Sequence, residues 1–323
     1  MRILAALSVI FTLALSASPA LAQRLPFETS FDAAGISTLD VSTMRGKIHI
    51  VPGDANRIVV GGAVTVRIGV NVPLNALELA RKIAANPPIE RAGTTVRLRP
   101  PADATERRAV TVNYEVRVPA NTTVVSVSDS GETTIAGITG AVDVRTQSGA
   151  IALERIGGAT TVSTGSGAVD VEGTRGPLKV ATSSSAFTAR GLGGNLHART
   201  MSGAVNASFD GGGDVDVATG SSAIRLSGVQ GAVTAVSQSG RIAIEGKPAR
   251  AWATTTGSGS IEVAVASPPL SIDATSGSGS VEVIGARVDG AVSKRAINGA
   301  IGNGGPMVRL SSRSGSIRIN VGR

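Results

Sequence analysis

The stretch STGSGAVDV, Ser163 to Val171, decides the fold. In isolation it fits a phosphate-cradling Gly/Ser loop, a serine nucleophile on a tight turn, or a turn feeding a strand in which Val169 and Val171 alternate with polar neighbours. Its recurrence separates these. The first apolar residue after each such small dipeptide is Thr133, Ile151, Val169, Phe187, Val205, Ile224, Ile242, Ile261, Val281, Ile301 and Ile317, at intervals of 18, 18, 18, 18, 19, 18, 19, 20, 20 and 16 residues. A second apolar residue follows two positions later except at Asn303, and Thr or Ser stands two positions before the dipeptide except at Ala296. Before that come two further alternating positions, as at Thr160 and Val162.

One unit therefore reads apolar-x-apolar-x-Thr-x-Ser-Gly-x-apolar-x-apolar, two short strands joined by a small corner. Strands recurring every 18 to 20 residues with no intervening helix predict a parallel β-solenoid (β-helix), each coil stacked on the last at about 4.8 Å, so that about ten coils make a rod of roughly 48 Å. A β-propeller blade needs about 40 to 50 residues.

The composition agrees with a narrow interior. The chain has 323 residues, 41 of them Gly, with five Phe, one Trp, one Tyr and no Cys. Small and β-branched residues must build the core, and no disulfide supports it. The first 22 residues resemble a secretory leader: Arg2, an apolar run from Ile3 to Ala17, and Ala20 to Ala22 before Gln23, with cleavage expected after Ala22. That run is shorter than the ~20 residues of a bilayer-spanning helix. The expectation is an exported protein of the periplasm or cell surface, without a transmembrane span. Its formal net charge of +8 favours anionic partners such as envelope glycans or lipids. Nucleic acid is not expected, since aromatic stacking platforms are scarce.

Residues 23–120 are expected to hold a divergent first coil and an α+β N-terminal cap, and residues 121–323 the repeats. "MRGKIHI", Met44 to Ile50, matches the later corners, and places His49 on the surface between the inward Ile48 and Ile50. "LNALELARKIAANPP" predicts a helix with Asn75 as N-cap, Glu78 three residues on, Leu74 stapled to Leu79, and a stop at Pro87-Pro88. "TTVRLRPPADATERRAVTVNYEVRVP" alternates on both sides of a Pro-rich loop and reads as a hairpin, covering a coil end that would otherwise invite edge pairing.

Catalytic motifs fail on inspection. No serine has Gly two positions away on both sides, as a nucleophile elbow requires, and no Lys completes a phosphate loop. "GGGDVDV", Gly211 to Val217, has Asp214 where a calcium-binding β-roll needs Gly, and the motif does not recur. Nothing calls for a cofactor or a metal.

Stacking turns sequence-distant outward residues into neighbours. On one strand Lys179, His197 and Asp216 fall on consecutive coils, the best acid/base constellation in the chain, although alternating charges on an exposed sheet are commonly a solvated ladder. On the other strand Glu262 and Glu282 fall on what the repeat count makes adjacent coils, as paired carboxylates would. Trp252 sits at an inward position. From Arg287 to Arg323 there are seven basic residues against Asp289 alone, so Arg309, Arg313 and Arg318 are the expected anion-binding residues, unless those charges simply protect a terminal coil from self-association.

The iterated "SGAIAL", "SGAVDV", "SGRIAI", "SGSIEV" and "SGSIRI", with "RVPANTTVVSVSDSG" and "MRGKIHI", resemble the bacterial envelope family known as DUF4097-like, described as adhesins with β-strand repeats, over roughly residues 36 to 320. The resemblance implies the solenoid fold and supplies no catalytic residue. The expected function is a non-enzymatic binding, adhesion or scaffolding module of the envelope. The alternative is a carbohydrate-active β-helix, lyase or hydrolase, using Lys179, His197 and Asp216 or Glu262 and Glu282.

Overall fold

The computed structural model describes residues 24–266 and 269–322. The expected leader, residues 1–22, lies outside them.

The chain is a parallel β-solenoid in which each coil contributes one strand to each of two long sheets, of 14 and 15 strands, here called the first and second sheet. The STGSGAVDV coil shows why the motif recurs. Thr160–Thr164 forms a second-sheet strand and Val169–Glu172 a first-sheet strand. Val162, Thr164, Val169 and Val171 turn inward and are buried, while Asp170 and Ser166 face out. Thr164 is the key to the corner: its Oγ1 accepts a hydrogen bond from the Gly167 N–H at 3.0 Å. A turn amide that no strand reaches is thereby satisfied inside the rod.

The same Thr/Ser staple closes all eleven coils of the described residues, from Thr43–Gly46 to Ser312–Gly315. The residue after the corner serine is Gly because the rungs touch there. A Cβ on Gly167 would lie 1.8 Å from the Gly149 carbonyl oxygen. Where Ser185 and Ser222 replace Gly, the staples measure 3.2 and 3.4 Å, against 3.0 Å in the STGSGAVDV coil. Every coil from Ser130 onward exposes its corner serine.

Both ends of the stack depart from simple succession. The first coil, Thr38–Thr43 with Ile48–Pro52, pairs directly with the coil Thr123–Ser128 and Thr133–Ala136. The intervening chain closes the end below it. Val110–Val118 runs parallel to Ile48–Pro52, then Arg57–Val66 and Arg24–Asp32 add antiparallel strands. On the second sheet Thr95–Leu98 and Ile89–Ala92 do the same.

The expected hairpin does not form. Thr95–Leu98 and Val110–Val118 belong to different sheets, and the Pro-rich loop between them carries a helix, α2, over Ala104–Ala109. Asp103 caps it, accepting from the Thr105 and Glu106 amides at 2.7 and 3.0 Å. Helix α1, Ala76–Ala85, stops before the proline pair as expected, but Asn75 makes no side-chain cap bond and Leu74 is wholly exposed. The turn from the Pro73 carbonyl to the Ala76 amide, 3.0 Å, sets the helix entry in place of a staple.

At the other end the coils are out of sequence order. The last coil, Met307–Ser312 with Ile317–Val321, lies between Trp252–Thr256 with Ile261–Val265 and Leu270–Ser276 with Val281–Ile284. Ala296–Ile301, counted by the repeat as another coil, is instead an antiparallel strand on Leu270–Ser276 that caps the stack together with Asp289–Val292. The exceptions at Ala296 and Asn303, and the drift of the interval from 18 to 20 and then 16, fall here.

Candidate functional site

The acid/base row forms as the repeat predicts: Lys179 is beside His197 and His197 beside Asp216 on three consecutive rungs. Asp216 Oδ2 accepts from His197 Nδ1 at 3.0 Å and from Arg199 Nη2 at 2.6 Å. The Arg199 hydrogen bond holds the Asp216 carboxyl below its ordinary range, against the partial burial that would raise it, and the Arg199 and His197 charges add to the lowering. Asp216 therefore stays ionised and committed to an ion pair, a poor general acid and a weak base. Lys179 joins neither bond. Lys179, His197 and Asp216 border a depression of about 470 Å³ that is open to solvent and crosses five coils. Arg199 lies two residues from His197 on the same strand and is brought beside Asp216 by the one-rung step, so an outward-row reading confined to single columns misses it. Asp214, from the imperfect calcium motif, is likewise occupied, accepting from the Ala232 amide and Arg250 at 2.8 Å.

Glu262 and Glu282 are not neighbours. The intercalated coil places Arg318 between them, with Glu262 on one side and Glu282 on the other. Arg318 pairs with Glu282 at 3.5 Å, and Glu262 is bonded to Arg241. No paired-carboxylate site exists at this position.

The three C-terminal arginines do not gather either. Arg309 lies on the second sheet and pairs with Asp273 at 3.1 Å, Arg318 lies on the first sheet, and Arg313 sits exposed at the corner. Trp252 is buried, its Nε1 donating to the Gly231 carbonyl at 2.9 Å, and His49 is exposed.

A second elongated feature runs down the first sheet. Two outward rows, Thr188-Asn206-Arg225-Ala243-Glu262 and Arg190-Ser208-Ser227-Glu245-Ala264, flank a groove of about 620 Å³ that crosses five coils. The inward residues Ala189, Ala207, Leu226 and Ile244 lie between the two rows. Arg190 and Arg225 are exposed and carry no ion pair among the described residues. The arrangement suits an extended ligand, with guanidinium forks at Arg190 and Arg225 for its acidic groups, and hydroxyls, an amide and the Glu245 and Glu262 carboxylates for its hydroxyl groups.

Residues 194–320 match the family model described as Toastrack DUF4097, the C-terminal half of the coil stack including the intercalated coil. No curated protein matches the chain. Among solved structures, a "putative cell adhesion protein" from Clostridium sporogenes ATCC 15579 aligns over 92% of this chain and 99% of that one, at 10% identity and a TM-score of 0.18, values too low to bear on this chain's fold or function. Among the described residues no helix is long and apolar enough to cross a membrane.

Proposed function

We propose that this chain is an exported, non-enzymatic binding rod of the cell envelope, an adhesion or scaffolding module that lays an anionic envelope polymer along the groove of its first sheet. The observation that carries the reading is the contrast between the two faces. His197 and Asp216 on the second sheet are tied with Arg199 into one hydrogen-bonded cluster, whereas the first-sheet groove offers two arginines, Arg190 and Arg225, that carry no ion pair among the described residues. Arg presents a planar fork that matches carboxylate and phosphate oxygens. Exposed charges are screened by salt, so such binding weakens as ionic strength rises. Export rests on the leader-like residues 1–22, and the net positive charge of the chain favours anionic polymers over neutral ones.

A hydrolase of the rival kind needs a carboxylic acid that can donate its proton near neutral pH, and Asp216 is held the other way. The test is incubation of the chain from Gln23 onward with immobilised peptidoglycan, lipopolysaccharide and capsular glycans at two salt concentrations, scoring retained protein and released sugar together. Retention that falls with salt and is weakened several-fold by combined R190A and R225A, without released sugar, supports the reading. Sugar released in proportion to enzyme and time, and abolished by H197A, would establish the rival.

A further inference from the structure

Beyond the groove, the third side of the rod, where each coil returns from the first sheet to the second, carries two arginines set in glycine. Arg155 lies between Gly137 and Gly173 on the neighbouring rungs, and Arg175 lies between Gly157 and Gly193, one rung on and in the adjacent column. With no side chains above or below them, both arginines rise from the floor of a trough of about 600 Å³.

Arg155 is also the one non-glycine residue among the described residues with positive φ, +52°. Its column partners Gly137, Gly173 and Gly191 have φ of +69°, +68° and +65°. Every other coil that adopts this left-handed corner uses Gly, as backbone sterics favour, so an arginine is kept here at a conformational cost. Arg155 touches Glu154 at 3.4 Å, but its side chain remains 72% exposed, and Arg175 has no ion-pair partner among the described residues. Asp210, at the far end of the trough, is the acid present there.

We propose that this trough is a second binding site, for two adjacent carboxylates of an acidic glycan of the uronate type, each held by one guanidinium. The floor distinguishes carboxylate from phosphate. The amides of Gly137, Arg155, Gly157, Gly173, Arg175 and Gly193 all donate to carbonyls of neighbouring rungs, at 2.7 to 2.9 Å. None is free to cradle a phosphate as open glycine loops do. Two coplanar carboxylate oxygens are satisfied by a single fork, whereas a phosphate leaves further oxygens without donors.

The test is an amide NMR titration with a galacturonate dimer, too short to span the five-coil groove, with pyrophosphate as the comparison. Shifts centred on Gly137, Gly157, Gly173 and Gly193 are expected, with the dissociation constant raised at least tenfold in R155G and in R175G. Both variants place glycine where neighbouring coils already have it, so the fold is retained, and R155G is expected to melt no lower than the parent. Combined R190A and R225A should leave dimer binding unchanged, so a failure here is separable from a failure of the groove. Shifts absent or centred elsewhere, affinity unaltered in either variant, or pyrophosphate binding more tightly than the dimer would each overturn the assignment.

Discussion

At the scale of single residues, the corner staple carries the fold's most local requirement. Thr164→Val keeps shape and removes the acceptor, leaving the Gly167 amide unpaired inside the rod, a loss expected to cost about 1–3 kcal/mol in denaturant unfolding. Gly167→Ala is expected to cost more, since its Cβ would meet the Gly149 carbonyl at 1.8 Å and two rungs would have to part. The Thr-x-Ser-Gly pattern was legible as inward and outward positions, but the bond from Thr to the fourth residue was not, because alternation reports which side a residue faces and not what it touches. A second residue-scale expectation concerns acid. The Arg99 hydrogen bond holds the Asp40 carboxyl below its ordinary value of 3.8, against partial burial that raises it, with the charges of Arg99 and then Arg97 adding to the lowering. A lowered carboxylate contributes stability that is complete above that ordinary value and is lost as pH falls through the folded-state value. The parent should therefore lose stability below pH 3.8 more steeply than Asp40→Asn, which starts out less stable at neutral pH; parallel acid-unfolding curves would contradict this.

At the scale of elements, the strands were readable wherever the 18-residue spacing held, and the failures have physical causes. The hairpin was expected because apolar alternation flanks the Pro-rich loop, yet alternation does not say which sheet a strand joins, and Asp103 with Glu106 three residues on is a helix start that the prolines obscured. The C-terminal coils were misordered for a related reason. Every coil presents the same inward pattern, so apolar packing does not distinguish one neighbour from another. The outward charges do: Arg309 faces Asp273, and Arg318 faces both Glu262 and Glu282. Reversing the second set, Arg318→Glu, would align three acids on successive rungs, and cross-strand repulsion is expected to cost about 1–2 kcal/mol. Chemical unfolding measures it, and an unchanged midpoint would mean that backbone pairing alone selects the order.

At the scale of the whole molecule, the rod is closed at both ends by chain that folds back, and its last coil fills a rung skipped earlier. Removing residues 305–323 should therefore open a gap within the stack. The coil at Leu270–Ile284 would lose Ile317–Val321 on the first sheet and Met307–Ser312 on the second, keeping only the antiparallel Ala296–Ile301, and unfolding should show a separate early transition. A single transition at the parent's midpoint would contradict that. The arginines that matter most to the functional reading were hidden for the same geometric reason as the coil order: Arg190 and Arg225 gain meaning from the groove between two rows, and Arg155 from the glycines above and below it. A column search for the arginine that interrupts Gly137, Gly173 and Gly191 would have found the last of these.

The most direct test of the binding-rod account is the dependence of affinity on ligand length, measured by calorimetry with acidic oligosaccharides of increasing size. A ligand lying along the first-sheet groove should bind more tightly with each added unit until it spans five coils, about 19 Å by the inter-strand spacing, and then reach a plateau with no change in the sugar itself. Affinity independent of length, or shortening of the oligosaccharide during the titration, would contradict it.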